Sequence, residues 1–312
     1  MNRRISKVAV LGSGIMGSGI ACHFANIGVE VLLLDISPKE LNSNEKKNNL
    51  TLDNPKVKNR IVNEMFNKCI KSKPSPIYNK KFIDRISLGN YDDNIHEIKN
   101  VDWIIEVVVE RLDIKKQIFD LIEKHRSNGT IVSSNTSGIP IKLMNEDRSI
   151  DFKKHFAITH FFNPPRYLNL FEVVPGPECK KEVLDFLLNY GEKFLGKTSV
   201  LAKDTPAFIG NRIGTFGIQS LFHQAKSGKY SVEEIDRFTG PAIGRPKSAT
   251  FRTADLVGLD TLFHVTDGIY KNCPNDEKQE IFKHPDFFKK MIENNYLGSK
   301  TGSGIYKKIK DK

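Results

Sequence analysis

The sequence predicts an α/β domain built on a largely parallel sheet, followed by an all-helical domain. Three observations carry this. Short apolar, β-branched runs alternate with helical stretches over the first two hundred or so positions. A glycine cluster separates the first such run from the first helix. Strand signals then largely vanish after Lys203-Asp204-Thr205-Pro206. A chain of 312 residues suits two domains at roughly 150 residues each, and the boundary divides it into residues 1–203 and 204–312.

Lys7 to Leu11 reads as the first strand, Ile15 to Ile27 as a helix of small and apolar residues closed by Gly28, and Val29 to Leu34 as a second strand ending at Asp35. The next fifty or so residues are polar. Helical stretches around Glu40 to Leu52 and Lys56 to Ser72, broken by Pro74 and Pro76, form a helical insertion on the sheet. Further strands are expected at Ile83 to Leu88, Trp103 to Val109, Thr130 to Ser134, Phe156 to Thr159, Leu170 to Val174 and Thr198 to Leu201. Helices such as Lys115 to Lys124 and Lys180 to Leu195 lie between them. The second domain reads as helices over Phe208 to Lys226, Val232 to Phe238, Asp255 to Tyr270 and Pro285 to Asn294.

Composition narrows the function classes. Hydrophobic residues make up 39% and charged residues 27%, ordinary for a globular protein and against wholesale disorder. No run of about 18 uncharged apolar residues occurs, so no membrane partner is expected. The stretch after Met1 is too short for a signal sequence. Cys22, Cys69, Cys179 and Cys273 lie far apart with no C-x-x-C pair, which argues against a disulfide framework or a metal site and for a reducing cytoplasm. The formal charge is +11. The basic residues are dispersed, apart from short clusters such as Lys307, Lys308 and Lys310, and no basic helix or stacking motif accompanies them. Nucleic acid is therefore not the expected partner, and an anionic cofactor or substrate is the simpler account.

Gly12-Ser13-Gly14-Ile15-Met16-Gly17 is a G-x-G-x-x-G that follows a strand and opens a helix, and Asp35 ends the next strand 18 residues after Gly17. Gly12 permits the tight turn, Gly14 lets the backbone approach a pyrophosphate, and Gly17 lets helix and strand pack closely. The helix N-terminus offers unpaired N–H groups to phosphates. A carboxylate at position 35 accepts from ribose hydroxyls and repels the extra phosphate of NADP. This is a Rossmann-like dinucleotide-binding arrangement, although FAD uses the same fingerprint. Ser134-Asn135-Thr136-Ser137-Gly138 ends a strand at the ligand-binding edge of such a sheet, or equally forms a polar helix-capping turn. His160 ends another strand. Glu172 lies within the apolar run Leu170-Phe171-Glu172-Val173-Val174, where a carboxylate is costly without a partner. The two could pair for general acid–base work or simply satisfy each other in the core.

Taken together, these residues resemble the L-3-hydroxyacyl-CoA dehydrogenases of fatty-acid β-oxidation and butanoate metabolism. The likeness covers nearly the whole chain. It runs through Val8 to Gly17, Ser134-Asn135-Thr136-Ser137, His160-Phe161-Phe162-Asn163-Pro164-Pro165 and Glu172-Val173-Val174. It continues through Lys203 to Arg212, Asp255-Leu256-Val257-Gly258-Leu259-Asp260 and Lys300-Thr301-Gly302-Ser303-Gly304-Ile305-Tyr306. The resemblance implies NAD as cofactor, an acyl-CoA substrate and oxidation of its 3-hydroxyl. It implies His160 as general base with Glu172 behind it, and Ser137 and Asn211 holding the reacting oxygen, the thioester carbonyl or the catalytic His. Glu110, Lys115, Ser137, Asn163 and Lys300 match positions lining the dinucleotide site, beside Gly12, Gly14, Ile15, Met16, Gly17 and Asp35. Relatives pair through the second domain, so a homodimer is expected, with Asn211 reaching into a cleft between the domains of each subunit. The helical insertion assists coenzyme A in some relatives, but its Lys/Asn-rich sequence here assigns no contacts. Gly244-Arg245-Pro246-Lys247-Ser248-Ala249-Thr250-Phe251 looks more like the dehydrogenase part of larger multifunctional proteins. Two other readings keep the fold: a dehydrogenase of a hydroxy acid without CoA, and an NAD-binding module that does no chemistry.

Overall fold

A computed structural model describes residues 3–307; the tail lysines Lys308 and Lys310 lie outside them. The chain divides after Asp204 into two compact units. The first holds one eight-stranded sheet: β1 (Lys7–Leu11), β2 (Glu30–Asp35), β3 (Ile86–Asn90), β4 (Trp103–Glu106), β5 (Ile131–Ser134), β6 (Phe156–Phe161), β7 (Leu170–Pro175) and β8 (Thr198–Leu201). Their spatial order is β3-β2-β1-β4-β5-β6-β7-β8, and every neighbouring pair is parallel except β6 with β7. The order reverses at β1, so the carboxyl ends of β1 and β4 flank a switch point, where doubly wound sheets bind ligands. Residues 8–11 and 103–105 are wholly buried, as continuous apolar runs in a sheet covered on both faces should be.

The helices of this unit are α1 (Ile15–Asn26), α2 (Ser43–Lys47), α3 (Pro55–Lys58), α4 (Arg60–Ile70), α5 (Tyr91–Asn94), α6 (Leu112–His125), α7 (Ile141–Met144), α8 (Ile150–Lys154) and α9 (Lys181–Lys193). Phe24, Trp103 and Tyr190 meet edge-on or stacked beneath α1, with ring centroids 5.4–6.4 Å apart. The expected long helix over residues 40–52 is instead the single short α2. Asn42 and Glu45 form a capping box that starts it, and Asn49 at φ +52° stops it. Residues 83–85, read as the start of a strand, belong to a 3₁₀ turn over residues 80–85, and β3 starts at Ile86. β4 stops at Glu106, so Val107 to Val109 are loop.

The second unit contains α10 (Gly210–Lys226), α11 (Val232–Thr239), α12 (Phe251–Val257), α13 (Leu259–Asn272) and α14 (Asp286–Glu293). The helix expected over 255–270 divides at Gly258, whose φ is +102°. Phe222 anchors the core, stacked on Phe251 at 5.4 Å and edge-on to Phe288 at 4.8 Å. The buried carboxylate of Asp255 accepts the backbone N–H groups of Ile305 and Tyr306, each at 2.9 Å, and so ties the C-terminal segment to α12. Among the described residues, no helix is long and apolar enough to cross a membrane.

Candidate active site

The glycine turn has the geometry that a dinucleotide needs. A Cβ on Gly17 would stand 1.8 Å from the carbonyl oxygen of Gly12, and one on Gly12, at φ +107°, would meet the Val107 carbonyl at 2.6 Å. Both positions exclude any side chain. Gly14 has no atom within 4 Å of its Cβ position, so its bareness serves nothing inside the protein and leaves room for a ligand. Ile15 is exposed and Met16 half-buried beside it. Asp35, at the end of β2, accepts from Ser13 N at 2.6 Å, from Ser13 Oγ at 2.5 Å and from Ile36 N at 2.7 Å. A carboxylate offers about four lone-pair positions, so this leaves capacity for a ribose hydroxyl. These features fit a bound dinucleotide.

The next strand ends along the same edge hold a buried charge cluster. Glu106, fully buried at the end of β4, accepts from Lys115 Nζ at 2.8 and 3.0 Å, from Val108 N at 2.8 Å and from Ser134 Oγ. Lys115, itself 1% exposed, also lies 3.3 Å from Glu110. Glu110 accepts from Thr136 Oγ1 at 2.6 Å and from Ser137 N at 3.0 Å. Ser137 Oγ stands 3.4 Å from the same carboxylate. Glu110, Lys115 and Ser137 are therefore one connected group. The role of Asn135 in its motif is visible too. Its side chain accepts from Phe161 N at 2.9 Å, while its own N–H donates to the Glu106 carbonyl at 2.8 Å, joining the ends of β4, β5 and β6.

His160 and Glu172 face each other directly across the antiparallel pair β6 and β7. His160 Nδ1 is 2.7 Å from Glu172 Oε2, with the histidine side chain 7% exposed and the carboxylate fully buried. The twelve-residue spacing in sequence becomes opposite registers on one face of the sheet because the chain reverses between them. Phe162 packs its ring 4.5 Å from the imidazole. Asn163 is exposed on the loop that follows.

In the second unit, Asn211 is half-buried in the first turn of α10, and its carbonyl accepts from Thr215 Oγ1 at 2.7 Å. Lys300 forms an ion pair with Asp260.

Two residues that matter here escaped the sequence reading. Glu106 ends the run Trp103-Ile104-Ile105-Glu106 and carries the same signal as Glu172, an acid in an apolar strand. Ser13 gave no signal, because its role depends on Asp35 reaching back from the neighbouring strand.

Residues 7–205 match the family model described as 3-hydroxyacyl-CoA dehydrogenase, NAD binding domain, and residues 208–308 match the C-terminal domain of that family. A probable 3-hydroxyacyl-CoA dehydrogenase of Bacillus subtilis is 52% identical over 99% of this chain, which spans 39% of that protein's length. One of Deinococcus radiodurans is 41% identical, over 99% of this chain and 84% of its own length. The crystal structure of (S)-3-hydroxybutyryl-CoA dehydrogenase from Ralstonia eutropha superposes with a TM-score of 0.76 at 26% identity, covering 98% of this chain and 100% of that one. The class defined by fold and matches is that of proteins built on a Rossmann-like NAD-binding domain. The chain belongs to the 3-hydroxyacyl-CoA dehydrogenase family, and its first unit is the family's NAD-binding domain.

Proposed function

We propose that this chain oxidises the 3-hydroxyl of an L-3-hydroxyacyl-CoA to the 3-oxo form in fatty-acid β-oxidation or butanoate metabolism, with His160 as general base. The observation that carries the reading is the buried His160–Glu172 pair at 2.7 Å, on the sheet edge that also carries the glycine turn. NAD, when bound, supplies the hydride acceptor. Gly12, Gly14, Ile15, Met16, Gly17 and Asp35 hold its adenosine and pyrophosphate, and Glu110, Lys115, Ser137, Asn163 and Lys300 complete the cofactor site. His160 takes the hydroxyl proton. Glu172 fixes the ring through Nδ1 and balances the charge of the imidazolium that forms, which suits a base working in a buried site. Ser137 and Asn211 hold the reacting oxygen, the thioester carbonyl or the catalytic His.

The purified chain is expected to oxidise NADH with acetoacetyl-CoA, to do little with NADPH, and to lose turnover in His160→Ala. Tight NADH binding without any acyl-CoA-dependent oxidation would overturn the proposal. Oxidation driven equally by 3-oxo acids lacking CoA would move the substrate to a non-CoA hydroxy acid.

The second unit takes the substrate and dimerisation roles in this reading. Its apolar helix faces sort into two sets. Phe222, Leu259 and Leu262 are core, whereas Ile213 and Leu256 are 69% and 57% exposed, with Phe238 and Ile243 comparably bare. Such exposed apolar positions support a homodimer. A monomeric mass by light scattering at micromolar concentration, with full activity, counts against it. The wide spacing of the four cysteines along the chain, with no C-x-x-C pair, supports a reducing cytoplasmic location.

A further inference from the structure

Lys197 lies in the turn between α9 and β8 and is 6% exposed. Its ammonium donates to the Pro165 carbonyl and, at 2.7 Å, to the Leu168 carbonyl. Among the described residues no carboxylate forms an ion pair with it, and burial alone pulls its pKa down to about 8. The neighbouring imidazole of His23, on α1, is kept neutral beside it. Burial and the Lys197 charge push it down to about 4, and its Nε2 lies 2.9 Å from the Leu195 carbonyl.

A buried ammonium without a counter-ion is costly, and a core that needed only filling would be served by Met or Leu. The charge here supports two strong hydrogen bonds to carbonyls three residues apart in a single loop. That loop, residues 162–169, is the connection between His160 on β6 and Glu172 on β7. Its other contacts reach α1 and the segment around Ser75. Pro165 packs so closely on α1 that a Cβ at Gly19 would come within 3.0 Å of it. Arg166 Nη1 and Tyr167 Oη donate to the Ser75 carbonyl at 2.6 and 2.9 Å. Lys197 holds the same loop from the turn between α9 and β8. Its own N–H is held by the Gly191 carbonyl at 2.9 Å, and Thr198 N donates to Asn169 O at 2.8 Å where the loop re-enters the sheet.

The geometry points to Lys197 as a positioning residue: by holding both ends of the Pro165–Leu168 turn, it keeps His160 and Glu172 in the register that makes their 2.7 Å hydrogen bond. The inference rests on the reading of that pair as the general base, and it is tested by two independent measurements on the full chain. The first is the split between kcat and KM for acetoacetyl-CoA-dependent NADH oxidation. The second is the downfield proton resonance of His160 Nδ1–H against Glu172, assigned by its disappearance in His160→Ala.

Lys197→Met is expected to bind NADH as the wild type does and to lose about tenfold to a hundredfold in kcat, the loss that follows from slight misplacement of a reacting group. KM should change little and the resonance should be lost. Lys197→Arg, which restores charged donors, should recover most of both. Lys197→Gln keeps N–H donors without the charge. It takes the place of the Met variant if that one does not fold, and is judged by the same readouts. Wild-type kcat per folded molecule and an intact resonance in either variant would overturn the proposal and leave Lys197 a fold-stabilising residue. A wild-type chain with no acyl-CoA-dependent activity would instead remove the general-base reading, while the resonance still reports on what Lys197 holds.

Discussion

Replacing Glu172 by Gln separates the charge of the pair from its shape. The amide is nearly isosteric and can still accept from His160 Nδ1, so packing in β7 between Phe171 and Val173 is preserved. What disappears is the negative charge 2.7 Å from the imidazole, in a site where the carboxylate is fully buried and the histidine side chain 7% exposed. A hydrogen bond to a charged group is worth about 1.5–3 kcal/mol, and burial places this one at the upper end. At about 1.36 kcal/mol per tenfold, 3 kcal/mol corresponds to roughly 150-fold in the step that creates the imidazolium. Glu172→Gln is therefore expected to lower kcat by about two orders of magnitude with little change in KM or in NADH affinity. NAD reduction with L-3-hydroxybutyryl-CoA, the direction in which His160 gains the proton, reads the first, and fluorescence titration of NADH the last. A variant that keeps kcat within about fivefold of wild type, with an unchanged circular dichroism spectrum, would show that the carboxylate does not act through His160.

Other expectations follow from the same geometry. Gly17→Ala must force Gly12 aside and is expected to lose both thermal stability and NADH binding. Gly14→Ala, with open space at its Cβ, should melt like wild type and still bind NADH weakly; equal affinity in Gly14→Ala and wild type would remove this turn from the cofactor site. Lys115→Met strands the fully buried Glu106 carboxylate and should cost about 3–5 kcal/mol in urea unfolding, partly recovered when Glu106→Gln is added. No recovery in the double variant would argue against charge as the cause. His23 is neutral in the fold because burial and Lys197 push its pKa from 6.5 to about 4. The unfolded chain therefore takes up the proton first as pH falls. Its contribution to stability is whole above pH 6.5 and is lost between there and about 4, by about 2 kcal/mol from pH 7 to pH 5. His23→Gln should flatten that part of the profile; an unaltered slope in urea titrations at the two pH values would place the acid sensitivity elsewhere.

Local pattern determined much of this protein. The strand–glycine–helix–strand unit, the acid ending β2, the parallel character of the sheet and the loss of strand signals past residue 204 are all properties of short windows. Each follows from side-chain period, β-branching and the few residues able to adopt tight turns. An acid in an apolar strand was likewise legible at Glu172, and the same reasoning extends to Glu106. Tertiary structure alone decided the rest. The chain reversal that makes β6 and β7 antiparallel sets His160 opposite Glu172, and no spacing rule distinguishes that register from its neighbours. The helix expected over residues 40–52 shrank to α2 because capping by Asn42 and a left-handed Asn49 outweighed helical periodicity. Lys197 carries no local mark, since its partners Pro165 and Leu168 lie about thirty positions away and come near only when β8 joins the sheet. A hydrogen bond is a matter of ångströms between atoms. Where its two ends belong to different elements, only the packing of those elements can create it.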